Sequence, residues 1–327
     1  MALRYPLSAL ALSLAMISGH AFSQPLQTLN LLTSWNPQAE QGGYYQALAT
    51  GIYKRYGLDV HIQSGGPQIN GMQLLLAQRA DVIIGYDLQL LSAVQRGLPV
   101  QAIAAPFQLD PQGLLTHDDV TGLDQLKNKT LLVSSSGQTT WWPWLKNKYQ
   151  LSDNQVRPYT FNIQPFIADK NLAQQAYVSS EVYEAKKAGV PYHFFLFAEQ
   201  GYPPYGGILI TRPDEIAKRR AALQQFIKAS MEGWVSYLKD PTAGNALIKK
   251  ENPQMSDGLL QWGVTQIKQH HLIDGGDAAT QGLGIMTDQR WQKTRDFMVS
   301  SHLLDPATDW KKAYTTELVS GLQIKAQ

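Results

Sequence analysis

The chain has 327 residues, 44% hydrophobic and 17% charged, with 28 Lys and Arg against 26 Asp and Glu for a net charge of +2. So even a balance excludes nucleic acid and an anionic membrane surface as electrostatic partners. The absence of cysteine excludes thiolate nucleophiles, Cys-ligated zinc and iron–sulfur clusters, and a chain of this length can bury a core without disulfides.

Arg4 followed by the apolar run Leu7–Ser18 (LSALALSLAMIS), with small residues at Ala21 and Ser23, reads as a cleaved export signal over residues 1–23. A periplasmic location follows from it. No later apolar run reaches the roughly 18 residues of a membrane span.

From there short apolar runs alternate with helical stretches. TLNLLT (28–33) reads as a strand. Residues 42–57 carry Tyr44, Leu48, Ile52 and Tyr56 at four-residue spacing, the apolar stripe of a helix, closed by Gly57. LDVHIQ (58–63), ADVIIG (80–85) and VQAIAAPF (100–107) read as strands separated by helices over 69–79 and 88–97. Such alternation predicts a mostly parallel sheet with helices on its faces.

QLDPQG (108–113) breaks this rhythm, and a second α/β block follows. LLTH (114–117), TLLVSSS (130–136), VRPYTF (156–161), QAYVSS (175–180) and YHFFLFA (192–198) read as strands; WWPWLKNKYQ (141–150) and EVYEAKKAG (181–189) read as helices. Pro143 is tolerated only in a helix's first turn, which puts that start near Thr140. EQGYPPYGG (199–207) is a second break, and ILIT (208–211) is a short strand. Beyond it come helices over 214–239, 242–250, 257–270 and 288–300. A helical tail without strands needs a sheet to cover. Packing it on the first block gives one lobe from 24–110 with 207–327, and an inserted lobe over 111–206. Two crossings join them, the plan of a ligand trap that closes about a hinge.

Five segments carry a family likeness: SWNPQAEQGGYYQALATGIYKRYGLDV, GGPQINGMQLLLAQRADVIIG, SSSGQTTWWPWLKNKYQ, AYVSSEVYEAKKAG and GYPPYGGILITRPDEI. Together they resemble the periplasmic substrate-binding proteins of ABC importers, in the group that joins nitrate, sulfonate and taurine binders with binders of thiamine pyrimidine precursors. The likeness runs over roughly residues 28 to 240. It implies the type II periplasmic binding fold, a small-molecule ligand between the lobes, a permease with its ATPase as partner, and a monomer. The group includes a hydroxymethylpyrimidine phosphate synthase that depends on a cysteine cluster, and a chain without cysteine does not inherit that activity. No cofactor is expected.

Loops at the strand ends supply the expected ligand contacts. Trp35 leaves the first strand and presents a flat face, unless it folds onto the following helix; the resembling proteins use this loop for ligand. Gln38 adds an amide, and Glu40 is as well explained by the helix dipole. Tyr44 faces either cleft or core. Tyr86 is the contact expected after the third strand, with Asp87 read as a helix cap. Phe107 forms either cleft floor or core. The hydroxyls of Ser135, Ser136 and Thr139, with free N–H groups, suit an anionic or carbonyl group. Trp141 and Trp142 are adjacent, so one is expected in the cleft and the other in the core. Tyr177, Ser179 and Glu181 form the third contribution, with Glu181 accepting from a ligand amine or amidine, though a capped helix explains the same residues. Tyr205 is expected to cover the ligand's edge. Many relatives have Pro after this Glu; here it is Val182.

His270 and His271 with Asp274 and Asp277 read as a solvated helix end, not a metal site. Arg79, Arg96, Arg157 and Arg212 are expected away from the cleft mouth. An aromatic cleft with an acid and no arginine suits a planar neutral or cationic heterocycle, a thiamine pyrimidine precursor foremost. The alternatives are a sulfonate, taurine or nitrate-like anion, or a pyrimidine-processing enzyme on the same fold.

Overall fold

The structure, a computed structural model, describes residues 25–326, so the expected export signal lies outside the described residues. Two five-stranded sheets organise the chain. The first contains β1 (Gln27–Leu32), β2 (Leu58–Gln63), β3 (Val82–Gly85), β4 (Gln101–Phe107) and, much later, β10 (Gly207–Thr211); the second contains β5 (Gln112–His117), β6 (Thr130–Val133), β7 (Val156–Pro158), β8 (Leu172–Tyr177) and β9 (Tyr192–Leu196).

Their spatial orders are β2-β1-β3-β10-β4 and β7-β6-β8-β5-β9. In the first sheet β1 runs parallel to β2 and β3, and β10 runs antiparallel to β3 and β4. In the second, β6 runs parallel to β7 and β8, and β5 antiparallel to β8 and β9. Each sheet is thus parallel but for its fourth strand, the one that arrives from the other sheet. The chain crosses from β4 to β5 and back from β9 to β10. The crossings touch: Gly206 N–H donates to Phe107 O at 3.0 Å, and a side chain at Gly206 would meet Leu109 O at 2.3 Å. Only glycine lets them lie so close.

The helices fall between and after the strands. The first sheet is served by α1 (Gly42–Ala49), α2 (Ile52–Arg55), α3 (Gly71–Leu76) and α4 (Asp87–Gln95). The second is served by α5 (Ser135–Gln138), α6 (Trp141–Tyr149), α7 (Gln164–Ala168) and α8 (Glu181–Lys187). The tail is α9 (Pro213–Lys239), α10 (Thr242–Glu251), α11 (Asp257–Gln269), α12 (Ala278–Gln281) and α13 (Asp288–Ser300).

Burial explains their seats. Leu29 and Leu31 of β1 enter one core and Leu32 the other, so the carboxyl end of this strand is covered on both faces. The helical stripe expected over 42–57 is broken at Gly51, whose φ of 71° ends α1 and starts α2. Helix α9 lies against α1: a Cβ on Gly43 would fall 2.3 Å from the Trp234 ring, and one on Gly233 the same distance from Gly43 O. The Gly-Gly pair therefore sets how near the two helices come, and it anchors the loop that precedes α1. The tail also reaches the second sheet, where Trp262 Nε1 donates to Val178 O at 2.9 Å.

Candidate functional site

The loop after β1 is turned toward the second sheet by Thr33. Its hydroxyl donates to Trp35 O at 2.7 Å and accepts from Gly65 N–H at 3.0 Å. Trp35 is thereby carried across and buried at 3% exposure. Its indole stacks on Tyr159 (centroids 6.0 Å apart, planes 11°), meets Phe161 edge-on (6.0 Å, 85°) and leans on Tyr177 (6.4 Å, 34°). Tyr159 and Phe161 sit just past β7, which ends at Pro158, and Phe161 takes a φ of 58°. One ring from the first sheet is enclosed by three from the second.

Two carboxyls flank these rings. Glu181, opening α8, accepts from the Tyr159 hydroxyl at 2.7 Å, from Tyr177 N–H at 2.8 Å and from the Ser180 hydroxyl. Glu40, from the first sheet's side, accepts the Ser179 hydroxyl on Oε1, while Oε2 is buried without a partner. Burial raises the Glu40 carboxyl to about 7, against the lowering effect of Ser179. Tyr86 and Tyr177 join hydroxyl to hydroxyl at 2.8 Å. At the first crossing Asp110 accepts from the backbone and side-chain amides of Gln112, and burial lifts it too, to about 7.

Three cavities adjoin this cluster. The largest, about 640 Å³, opens between the sheets at the ends of β1 and β3; Thr33, Ser34, Tyr86, Gln89 and Arg96 line one wall, and Ser135, Ser136 and Thr139 the other. That size is within the usual range for small-molecule sites. A recess of about 20 Å³ continues from it past Ser34 and Ile84, lined by Glu40, Tyr44, Phe107 and Tyr177. A third, about 250 Å³, lies beyond Tyr159 and Phe161, with Glu181, Glu184 and Met255. Direct bonds bridge the two sides: Ser135 Oγ donates to Gln68 Oε1 at 2.6 Å, and Gln89 Nε2 to Thr139 Oγ1 at 2.8 Å.

Most residues expected from sequence gather here. Trp35, Tyr86, Tyr177 and Glu181 are joined in one contact network, and Ser179 bonds Glu40 beside it; Tyr44 and Phe107 line the recess; Ser135, Ser136 and Thr139 line the cleft wall. Gln38 is buried at 1% exposure, its side chain beside Glu40.

Trp141, Trp142 and Tyr205 are corrections. Trp141 is fully buried against Phe197 at 4.9 Å, and Trp142 donates its indole N–H to Asp153 at 2.9 Å. The strand expected through Ser136 stops at Val133, and α5 intervenes, so the indoles are carried away from the strand end into the second core. Tyr205 is buried in the hinge, its hydroxyl accepting from Thr287 N–H at 3.2 Å and its ring lying under Arg290 at 4.9 Å. Arg96, expected away from the mouth, lines the cleft. Sequence reasoning missed Tyr159 and Phe161, hidden in a segment read as strand. Pro158 within it was the available signal, since proline disfavours continued sheet pairing.

Residues 38–244, more than half of the chain, match the model of the family described as NMT1/THI5 like. The chain belongs to that family. This NMT1/THI5-like chain is 25% identical over 315 residues to the riboflavin-binding protein RibY of Chloroflexus aurantiacus, covering 91% of this chain and 88% of that protein. Its fold is similar to that of the periplasmic aliphatic sulphonate binding protein SsuA from Escherichia coli, with a TM-score of 0.62 at 13% identity over 88% of this chain and 91% of the other. It is also similar to the desulfurization enzyme DSZB, with a TM-score of 0.58 at 14% identity over 90% and 97%. The family member described here thus has the two-lobed type II periplasmic binding fold.

Proposed function

We propose that this chain is the solute-binding receptor of an ABC importer, holding a planar nitrogen heterocycle between its lobes. The lobes are residues 24–110 with 207–327, and residues 111–206. The protein acts in the periplasm after losing residues 1–23, as a monomer that delivers its solute to a permease and ATPase. The observation that carries this reading is the aromatic enclosure of Trp35 by Tyr159, Phe161 and Tyr177, flanked by Glu40 and Glu181. Flat rings recognise flat rings, each well-placed pair adding about 0.5–1.5 kcal/mol beyond area burial. Carboxyls and amides beside them suit ring nitrogens and amino groups. The likeness to a riboflavin binder supports a ring solute, and a thiamine-type aminopyrimidine has the same donor and acceptor chemistry on a smaller ring.

Closure supplies the mechanism. Contacts from both lobes are complete only when the cleft is shut, and shifting such an equilibrium from mostly open to mostly closed needs about 5.5 kcal/mol of differential affinity. Stacking and a few charge-assisted hydrogen bonds reach that figure.

A second reading, capture of a sulfonate-like anion, is favoured by Arg96 in the cleft beside Ser135, Ser136 and Thr139, and by the likeness to SsuA. Calorimetric titration with riboflavin, 4-amino-5-hydroxymethyl-2-methylpyrimidine, butanesulfonate and nitrate separates the two. The first reading expects a heterocycle to bind, recovered unchanged, and Trp35→Ala to weaken it at least about tenfold. Binding of butanesulfonate or nitrate with neither heterocycle bound would overturn it.

A further inference from the structure

We propose that Glu40 sets the specificity of the cleft by accepting, on Oε2, an N–H from the polar edge of the bound ring, while Ser179 of the opposite lobe holds Oε1. This rests on the heterocycle reading above. Glu40 is buried at 4% exposure and lines the recess that continues from the main cleft past Ser34 and Ile84. A purely structural latch to Ser179 uses one oxygen and leaves the other unexplained. Burying a polar atom without a partner is unfavourable, and more so for a charged group. Glu40 thus offers an unused acceptor to the recess.

The complementary solute carries an N–H at its polar edge. An imide, a lactam or an aminopyrimidine has one. A sulfonate has acceptors only and would set oxygen lone pairs against Glu40. The two ends of the cavity system therefore have opposite preferences, and Glu40 is the residue that turns the inner end away from anions. A site built to receive an N–H discriminates strongly against the same molecule with that group blocked, because its buried acceptor is then left unpaired.

The experiment is calorimetric titration of the full mature chain with two matched pairs: riboflavin against 3-methylriboflavin, and 4-amino-5-hydroxymethyl-2-methylpyrimidine against its 4-dimethylamino analogue. The wild type is expected to prefer the N–H member of the pair it binds by about tenfold or more. Glu40→Gln, checked for folding by its melting curve, is expected to reduce that preference below about threefold while leaving the methylated member bound nearly as before. Ser179→Ala, which keeps Glu40 but frees Oε1, is expected to erode the preference partway. Equal binding of both members by the wild type overturns the proposal whether or not the variants fold. So does an undiminished preference in a folded Glu40→Gln. If butanesulfonate binds and no heterocycle does, the functional reading itself has failed and Glu40 falls with it.

Discussion

Tyr86 and Tyr177 meet hydroxyl to hydroxyl at 2.8 Å, one just past β3 and the other at the end of β8. They follow strands of different sheets, so under the closure proposed above the bond forms only when the cleft shuts. Burial pushes Tyr86 up to about 12 and Tyr177 well above its ordinary value, so both are neutral phenols at any physiological pH. Replacing either with Phe removes one net hydrogen bond, about 1 kcal/mol, from the closed form. In solution scattering without ligand, Tyr86→Phe and Tyr177→Phe are each expected to enlarge the radius of gyration. The double variant should go little further than either single one. Additive expansion would show that the hydroxyls act separately.

The hinge has its own fastener. Arg290 of α13 donates to Pro203 O at 2.7 Å, to Gln108 O at 3.0 Å and to Pro204 O at 3.2 Å, so one guanidinium binds both crossings. It also covers the Tyr205 ring, and Tyr205 N–H in turn donates to Asp87 at 3.0 Å. Arg290→Met strands three carbonyls and is expected to cost about 2–4 kcal/mol in urea denaturation. Arg290→Lys should recover little of it, because a point-like ammonium lacks the planar fork. Full recovery by Lys would mean that charge alone matters at this position.

How far the sequence carries depends on whether the signal is local. The strands of the first sheet and the long tail helices are legible because apolar periodicity and glycine stops are local properties. Pro143 likewise puts the start of α6 where the structure has it, at Trp141. The reversal of β5 and β10 is not legible, since direction in a sheet follows from which strand lies alongside, a non-local fact. Trp35 and Glu181 could be placed at loop ends, but their shared partner Tyr159 sits in a segment whose β-branched and aromatic residues read as strand. Glu40 as a site residue was masked by a sound competing reason, the preference of helix starts for acids. Its unpartnered oxygen together with its place in the lining of the recess sets it apart.

The tryptophans after α5 give a stability prediction in place of a binding one. Trp141 is fully buried in the second core, packed on Phe197 and crossed by Trp142 at 88°. Trp141→Ala is expected to destabilise the fold by about 3–5 kcal/mol through the cavity it leaves. Trp142→Phe should cost less, chiefly the indole N–H bond to Asp153. Denaturant curves test both; a Trp141→Ala protein of unchanged stability but abolished ligand binding would return this indole to the cleft.

Three buried acids give the chain an unusual pH response. Glu40 is raised from 4.5, and Asp87 and Asp110 from 3.8, each to about 7 and each by desolvation first. Glu40 faces Glu181 and the phenols Tyr86, Tyr177 and Tyr237; Asp87 faces Arg290, Tyr202, Tyr205 and Asp110; and Asp110 faces Tyr86 and Tyr177. The folded state therefore binds protons that the unfolded chain has released. Their contribution is fully present below about pH 4 and is lost as pH rises through about 7. Exposed acids shift the other way: Asp119, Asp153 and Asp214 are lowered by hydrogen bonds to Lys129, Lys146 and Lys218, and weaken the fold only in more acid solution. Stability from urea midpoints is thus expected to fall between about pH 5 and pH 7.5. Asp110→Asn, which keeps an acceptor for the Gln112 amide, should flatten the fall and exceed the wild type in stability at pH 8. A wild-type curve that instead rises across this interval would mean that the three carboxyls are ionised when folded, with charged partners stronger than their burial.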